Sequence, residues 1–160
     1  MSAQPDWTKI AIMPDQDIAP WWEATKKKVF NIGKCNDCGH KYWPPGPGCK
    51  KCQSLNTGLT PIKGEGTIYQ YNVVTQPILG HLVQAVPYVF AIVELPDGTN
   101  PDGSKTRVHG LMRDSEEVAG IGSKVLLDWD DHPKQEYKIP RWKVADPKQK
   151  GVWHYPGTRS

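Results

Sequence analysis

No stretch of this 160-residue chain is apolar over anything near the roughly 20 residues that a membrane helix needs, so a transmembrane span is not expected. Nor does an apolar leader open it. The first residues, Met-Ser-Ala-Gln-Pro-Asp, are polar, which predicts a reducing, cytoplasmic location rather than a secretory one. Net charge is also sparse: +3 is too little by itself to argue for a nucleic-acid partner. Cysteine is scarcer still. There are four, and none is left over from two pairs, Cys35-x-x-Cys38 and Cys49-x-x-Cys52, separated by ten residues.

Two such pairs at this spacing predict one closed four-thiolate metal site with Cys35, Cys38, Cys49 and Cys52 as ligands. Gly39, directly after the second cysteine, suits the tight backbone turn that aims amide groups at the sulfurs. Zinc (Zn²⁺) fits best, because it takes tetrahedral sulfur coordination and asks for no redox chemistry. A rubredoxin-type iron site uses the same ligands, and two disulfides would use the same residues in an oxidising compartment. A thioredoxin-type redox role would need a βαβ setting. The flanks Phe30-Asn31-Ile32 and Tyr42-Trp43-Pro44-Pro45 read instead as short ribbon strands.

Before the cysteines, Asp17 to Lys28 reads as a short helix, with aspartate early, Pro20 in the first turn and lysines in the last. Trp21 and Trp22 cannot both face one narrow stripe, so one of them either packs on the chain's own core or docks on another protein. After the ribbon, strands are predicted at Thr67–Val74, Tyr88–Leu95, Thr106–Leu111, Lys124–Trp129 and Tyr137–Val144. Pro96-Asp97-Gly98 and Asn100-Pro101-Asp102-Gly103 supply a hairpin connection, and Asp114–Val118 a brief capped helical turn. About five strands with one small helical insert suggest an OB-type barrel. The glycine pairs at 64/66 and 120/122 are read as turns, because no third spaced glycine and no helix follows either.

These residues together resemble one known family. The helix with Trp-Trp-Glu-Ala, the C-x-x-C-G knuckle with Trp43-Pro44-Pro45 before the second pair, the Gly-x-Gly-Thr-Ile-Tyr strand, Pro87-Tyr88-Val89, Val93-Glu94-Leu95 with Asp97-Gly98, and Ile121–Val125 are similar to the zinc-ribbon plus OB-fold (DUF35) family over residues 15 to 144. The resemblance implies a mainly β fold: an N-terminal arm and helix (1–29), a rubredoxin-like zinc ribbon (30–60) and a five-stranded OB-fold barrel (61–144); the extended C-terminal tail (145–160) runs past the family's usual end, and the resemblance does not fix its role. It also implies an accessory protein of acyl-CoA metabolism, the small partner of a thiolase-like enzyme that itself contributes the nucleophilic cysteine and the acid/base histidines. The short architecture is similar to the small subunit of a benzoylsuccinyl-CoA-type thiolase in aromatic-compound degradation.

The remaining residues agree with a subunit that has no catalytic residues of its own. With all four thiols committed to metal, no cysteine is free to form an acyl-enzyme. His40 is expected at the knuckle; His81, His109, His132 and His154 have no Ser or Asp companion at a recognisable nucleophile elbow. Glu116-Glu117 and Asp130-Asp131 are neighbours, so their side chains turn apart instead of forming an acid/base pair. Thr75–Pro87 is rich in apolar residues for a connection: it either borders an acyl pocket or partner, or uses Leu79, Leu82 and Val86 to plug the barrel. Finally, Trp142, Trp153 and Tyr155 alternate with Lys143, Lys148, Lys150 and Arg159. That mixture suits an arm that wraps a partner subunit, and the family resemblance implies acyl-CoA at the shared interface; the competing class is a single-stranded nucleic-acid-binding protein.

Overall fold

The computed structural model describes residues 4–156. A short helix, α1 (Ala19–Thr25), leads into a three-stranded ribbon of β1 (Asn31–Cys35), β2 (Lys41–Tyr42) and β3 (Thr57–Pro61), in the order β2-β1-β3. Five longer strands follow: β4 (Glu65–Val74), β5 (Tyr88–Thr99), β6 (Lys105–Leu111), β7 (Lys124–Asp131) and β8 (Lys138–Val144). They form one antiparallel sheet ordered β6-β5-β4-β7-β8. The sheet curls until its two edges meet. A parallel bridge joins Met112 to Trp142, and the Arg113 amide donates to the Trp142 carbonyl at 2.7 Å. This contact pins the two edges of an OB-like half-barrel together at one point.

Strand burial alternates as a half-buried sheet requires: Val89, Ala91, Val93 and Leu95 point inward from β5, and Ile68, Val108 and Val125 meet them from its neighbours. Trp21, Phe30 and Ile32 join the same cluster, so helix, ribbon and barrel share one core. Trp21 packs inward and its indole donates to the Asn31 carbonyl at 2.8 Å, while Trp22 lies half-buried with its ring edge-on to Trp21 and Tyr137. Both tryptophans therefore serve this chain's own packing.

The helix is shorter than the sequence suggests. The Asp15 carboxylate accepts the amides of Asp17 and Ile18, holding a turn where the helix would begin. At the other end Lys28 adopts a left-handed backbone, φ 58°, which stops it. β5 in turn runs past Leu95 to Thr99, with Pro96 in a stretch where the pairing with β6 is irregular, so its missing N–H breaks no ladder. Asp114 does not cap the turn after it. Its carboxylate accepts the Val144 amide instead, tying that turn to β8.

Residues 4–12 form a strap that the sequence does not announce. The Asp6 amide donates to the His81 carbonyl, Gln135 pairs with both backbone groups of Ile12, and the Trp7 indole donates to Asp130 at 2.8 Å. Asp130 also pairs with Arg113 and with Arg141, which is buried. Burial alone would raise the Asp130 pKa; the Trp7 indole and the two guanidinium groups outweigh it and hold the carboxylate below its ordinary value.

Candidate metal centre

The four cysteine sulfurs lie within 4.8 Å of one another, with Cys35 Sγ 3.6 Å from Cys52 Sγ and Cys38 Sγ 3.6 Å from Cys49 Sγ. Zinc–sulfur bonds of about 2.3 Å in a tetrahedron place sulfurs roughly 3.8 Å apart, so the donor set fits a four-thiolate zinc. All four thiols are free, which removes the two-disulfide alternative. Among the described residues this is the one cluster of three or more metal-ligating side chains.

Both knuckles use the same backbone scheme. The Cys35 amide donates to the His40 carbonyl and the Gly39 amide to the Cys35 carbonyl; likewise Cys49 donates to Ser54 and Gln53 to Cys49. Gly39 at φ +72° therefore has a counterpart in Gln53 at φ 62°. The repeat is hard to see in sequence, because glutamine stands where a left-handed turn favours glycine. Amides also face the sulfurs: Cys38 N–H lies 3.5 Å from Cys35 Sγ, and Lys51 N–H 3.4 Å from Cys49 Sγ. A second layer braces the two turns together, with the Asp37 carboxylate accepting from Ser54 Oγ and Asn56 Nδ2.

Electrostatics explain why this cage wants a cation. The amides of Cys52 and Lys51 hold the Cys49 thiol down to about 6. The Ser54 amide favours the Cys52 thiolate too, but the neighbouring thiols and burial outweigh it and push that group up to about 12. Four sulfurs this close cannot all ionise against one another, and a divalent ion at their centre removes the conflict.

The histidines stay scattered, as expected. His40 sits at the knuckle, its carbonyl used by Cys35, its ring stacked on Tyr42 and its Nδ1 buried without a hydrogen bond. His109 Nδ1 accepts from the Trp43 indole, His132 bridges Ile10 and Lys134, and His154 meets the Glu116 carbonyl. Asp130 and Asp131 do turn apart, the latter to Lys138.

Two surfaces complete the inventory. In the 75–87 connection Leu82 is buried, but Leu79 and Val83 are more than half exposed, so only part of it plugs the barrel. The outward part borders an apolar groove of about 440 Å³ with Trp7, Tyr88, Phe90 and Leu111. Trp142 is not a tail aromatic at all; it is fully buried at the barrel closure. The tail itself folds back, with Trp153 bridged to Ile121 and the Tyr155 amide donating to the Tyr71 hydroxyl, leaving the Trp153 and Tyr155 side chains 51% and 65% exposed. Among the described residues, no helix is long and apolar enough to cross a membrane.

Residues 22–57 match the family described as "ChsH2, rubredoxin-like zinc ribbon domain", and residues 59–130 the one described as "ChsH2, C-terminal OB-fold domain". A probable enoyl-CoA hydratase alpha subunit of Thermomonospora curvata is 34% identical over 135 residues, which is 84% of this chain and 40% of that protein. A DUF35 domain-containing scaffold protein of Methanocaldococcus jannaschii is 35% identical over 95 residues, 58% of this chain and 66% of the relative. The chain thus spans less than half of the first relative and about two thirds of the second. Among solved structures, one described as "Ltp2-ChsH2(DUF35) aldolase" superposes with a TM-score of 0.70 at 29% identity, covering 85% of this chain and 100% of that one. A DUF35-family protein of unknown function from Sulfolobus solfataricus shares the fold, with a TM-score of 0.52 at 16% identity over 78% and 82% of the two chains.

Proposed function

Because the chain belongs to the DUF35/ChsH2 zinc-ribbon plus OB-fold family, we propose that it is a zinc-binding accessory subunit of a thiolase-type acyl-CoA acyltransferase and helps to shape that enzyme's CoA-ester site. In this reading Cys35, Cys38, Cys49 and Cys52 hold a structural zinc. The arm (1–29), ribbon (30–60), barrel (61–144) and tail (145–160) act as successive parts of one cytoplasmic subunit. The catalytic cysteine and histidines belong to the partner.

One observation carries the reading: the chain's four thiols converge on one centre, leaving none to attack a thioester. The likeness to a protein described as a probable enoyl-CoA hydratase alpha subunit supports a partner that works on CoA esters, and the likeness to a chain described as "Ltp2-ChsH2(DUF35) aldolase" supports assembly with an enzyme. The benzoylsuccinyl-CoA-type thiolase is the specific candidate that the short architecture suggests. The nucleic-acid alternative is weakened on the barrel's outer face, where Arg107 covers the Tyr69 ring at 3.6 Å and is itself paired with Glu94.

Native purification with mass spectrometry of the bound partner tests this, followed by assays on a panel of aromatic and aliphatic CoA esters. The complex should turn over and the isolated chain should not. Reproducible thiolytic turnover by the chain alone, abolished by a change outside the cysteines, would overturn the accessory role.

A further inference from the structure

Three lysines far apart in sequence converge on one groove of about 350 Å³ beside the ribbon–barrel junction: Lys28 just after α1, Lys63 between β3 and β4, and Lys143 in β8. Its floor is apolar, made in part by Ile62, Leu126 and Trp129. Among the described residues neither Lys28 nor Lys63 has a carboxylate within ion-pair distance, and Lys143 has only Asp128 at 3.9 Å. Glu65 is the single acidic residue in the lining. Three lysines lining a groove with aromatic and aliphatic walls match an anion that carries a flat, stackable ring.

The groove is also held in place. The Lys63 amide donates to Asp97 at 2.7 Å, the Gly64 carbonyl accepts from Leu127 at 2.7 Å, and Ile62 donates to Phe30 at 3.0 Å. A preformed loop loses little freedom when a ligand binds. Lys28 occupies a left-handed position that ends α1, with its amide donating to the Thr25 carbonyl, and glycine is the residue such a position favours.

We propose that this groove binds the 3′-phosphorylated adenine nucleotide end of a CoA ester, with Lys28, Lys63 and Lys143 on the phosphates and the adenine against Trp129. The choice of a CoA nucleotide rests on the function proposed above. The volume lies near the lower end of the about 300–1,000 Å³ typical of small-molecule clefts, enough for one end of such a ligand. The thioester end lies elsewhere in this arrangement, in the partner that supplies the nucleophile. Holding the unreactive end is how remote binding energy is directed to the reacting centre.

The test is calorimetric titration of the zinc-loaded full chain with adenosine 3′,5′-bisphosphate, with AMP and with an eight-nucleotide oligo-dT, at low and moderate salt. The bisphosphate should bind saturably and more tightly than AMP or the oligonucleotide. Lys63→Ala and Lys143→Ala should each weaken it about fivefold. Lys28→Gly separates binding from folding: it should weaken the bisphosphate by a similar factor while the melting temperature holds or rises, because glycine suits the left-handed position. No saturable binding by the wild type, or unchanged affinity in Lys28→Gly and Lys63→Ala, overturns the site; tighter oligonucleotide binding overturns the choice of ligand. Partner capture is scored separately. Bisphosphate binding through these lysines without any acyl-CoA enzyme partner would remove the accessory-subunit reading and keep a nucleotide site, and a captured partner without bisphosphate binding would do the reverse.

Discussion

Gly110 and Trp142 meet where the barrel closes: a β-carbon on Gly110 would lie 2.5 Å from Cδ1 of the indole and 2.7 Å from its Nε1. Trp142 is fully buried and its backbone carries the bridge to Met112, so the ring has little room to retreat. Gly110→Ala should therefore destabilise the protein by about 1–3 kcal/mol, the usual cost of overfilling a packed interior. Gly46→Ala, where an added carbon meets nothing within 4 Å, should be neutral. Urea unfolding of both variants at constant zinc content decides the matter; equal midpoints would show that the closure is not tight.

The metal centre makes a second expectation. Elemental analysis should find one zinc per chain, and Cys38→Ser should lose most of it. Structural four-sulfur zinc contributes about 10–16 kcal/mol of apparent binding free energy in small modules. Because Phe30 and Ile32 pack in the same cluster as the barrel strands, loosening the ribbon should also lower the barrel's melting temperature. Less than half an equivalent of zinc, with iron in its place, would reassign the metal.

The parts of this fold that were legible in the sequence are those whose signals are local. Paired cysteines mark the knuckles, and runs of β-branched and aromatic residues mark β4 and β5, because ligand spacing and strand propensity need only neighbours. What stayed hidden depends on residues far apart. Gln53 repeats the role of Gly39 without being glycine, and Trp142 looks like a member of a basic, aromatic tail until the curled sheet brings it over Gly110. The strap and the lysine groove are invisible for the same reason: Trp7 meets Asp130, and Lys28 faces Lys63 and Lys143, only once the chain has folded.

Acid should release the strap. In the folded protein Asp130 titrates below its ordinary value, so the unfolded chain takes up its proton first as the pH falls. Its stabilising contribution is then complete above about pH 4, the ordinary carboxylate value, and is lost as the pH falls below that toward the depressed folded value. Asp130→Asn should lose stability already at neutral pH, by about 3 kcal/mol, since Arg141 would be left buried without its anion. Urea midpoints measured from pH 7 to pH 3 should fall more steeply for the wild type than for the variant. Parallel curves would place the acid sensitivity in other carboxylates.

The tail offers the sharpest contrast between a docking arm and a nucleic-acid surface. Deleting residues 145–160 would remove both candidates, but it would also break the Ile121–Trp153 bridge and the Gln149 side-chain bonds to the Lys124 amide and Gly122 carbonyl, so lost stability would blur the result. Trp153→Ala with Tyr155→Ala is cleaner, because both side chains are more than half exposed and the backbone bonds remain. If these aromatics anchor a partner subunit, the double variant should weaken association by at least 2 kcal/mol, about thirtyfold, with zinc content and melting temperature nearly unchanged. If Lys148 and Lys150 track phosphates instead, the same variant should lose affinity for single-stranded oligonucleotides. Lys148→Ala with Lys150→Ala should then flatten the salt dependence of that binding. The expected outcome is the first. Micromolar oligonucleotide binding with a steep salt slope, together with no loss of partner association in the aromatic variant, would reassign the tail to nucleic acid.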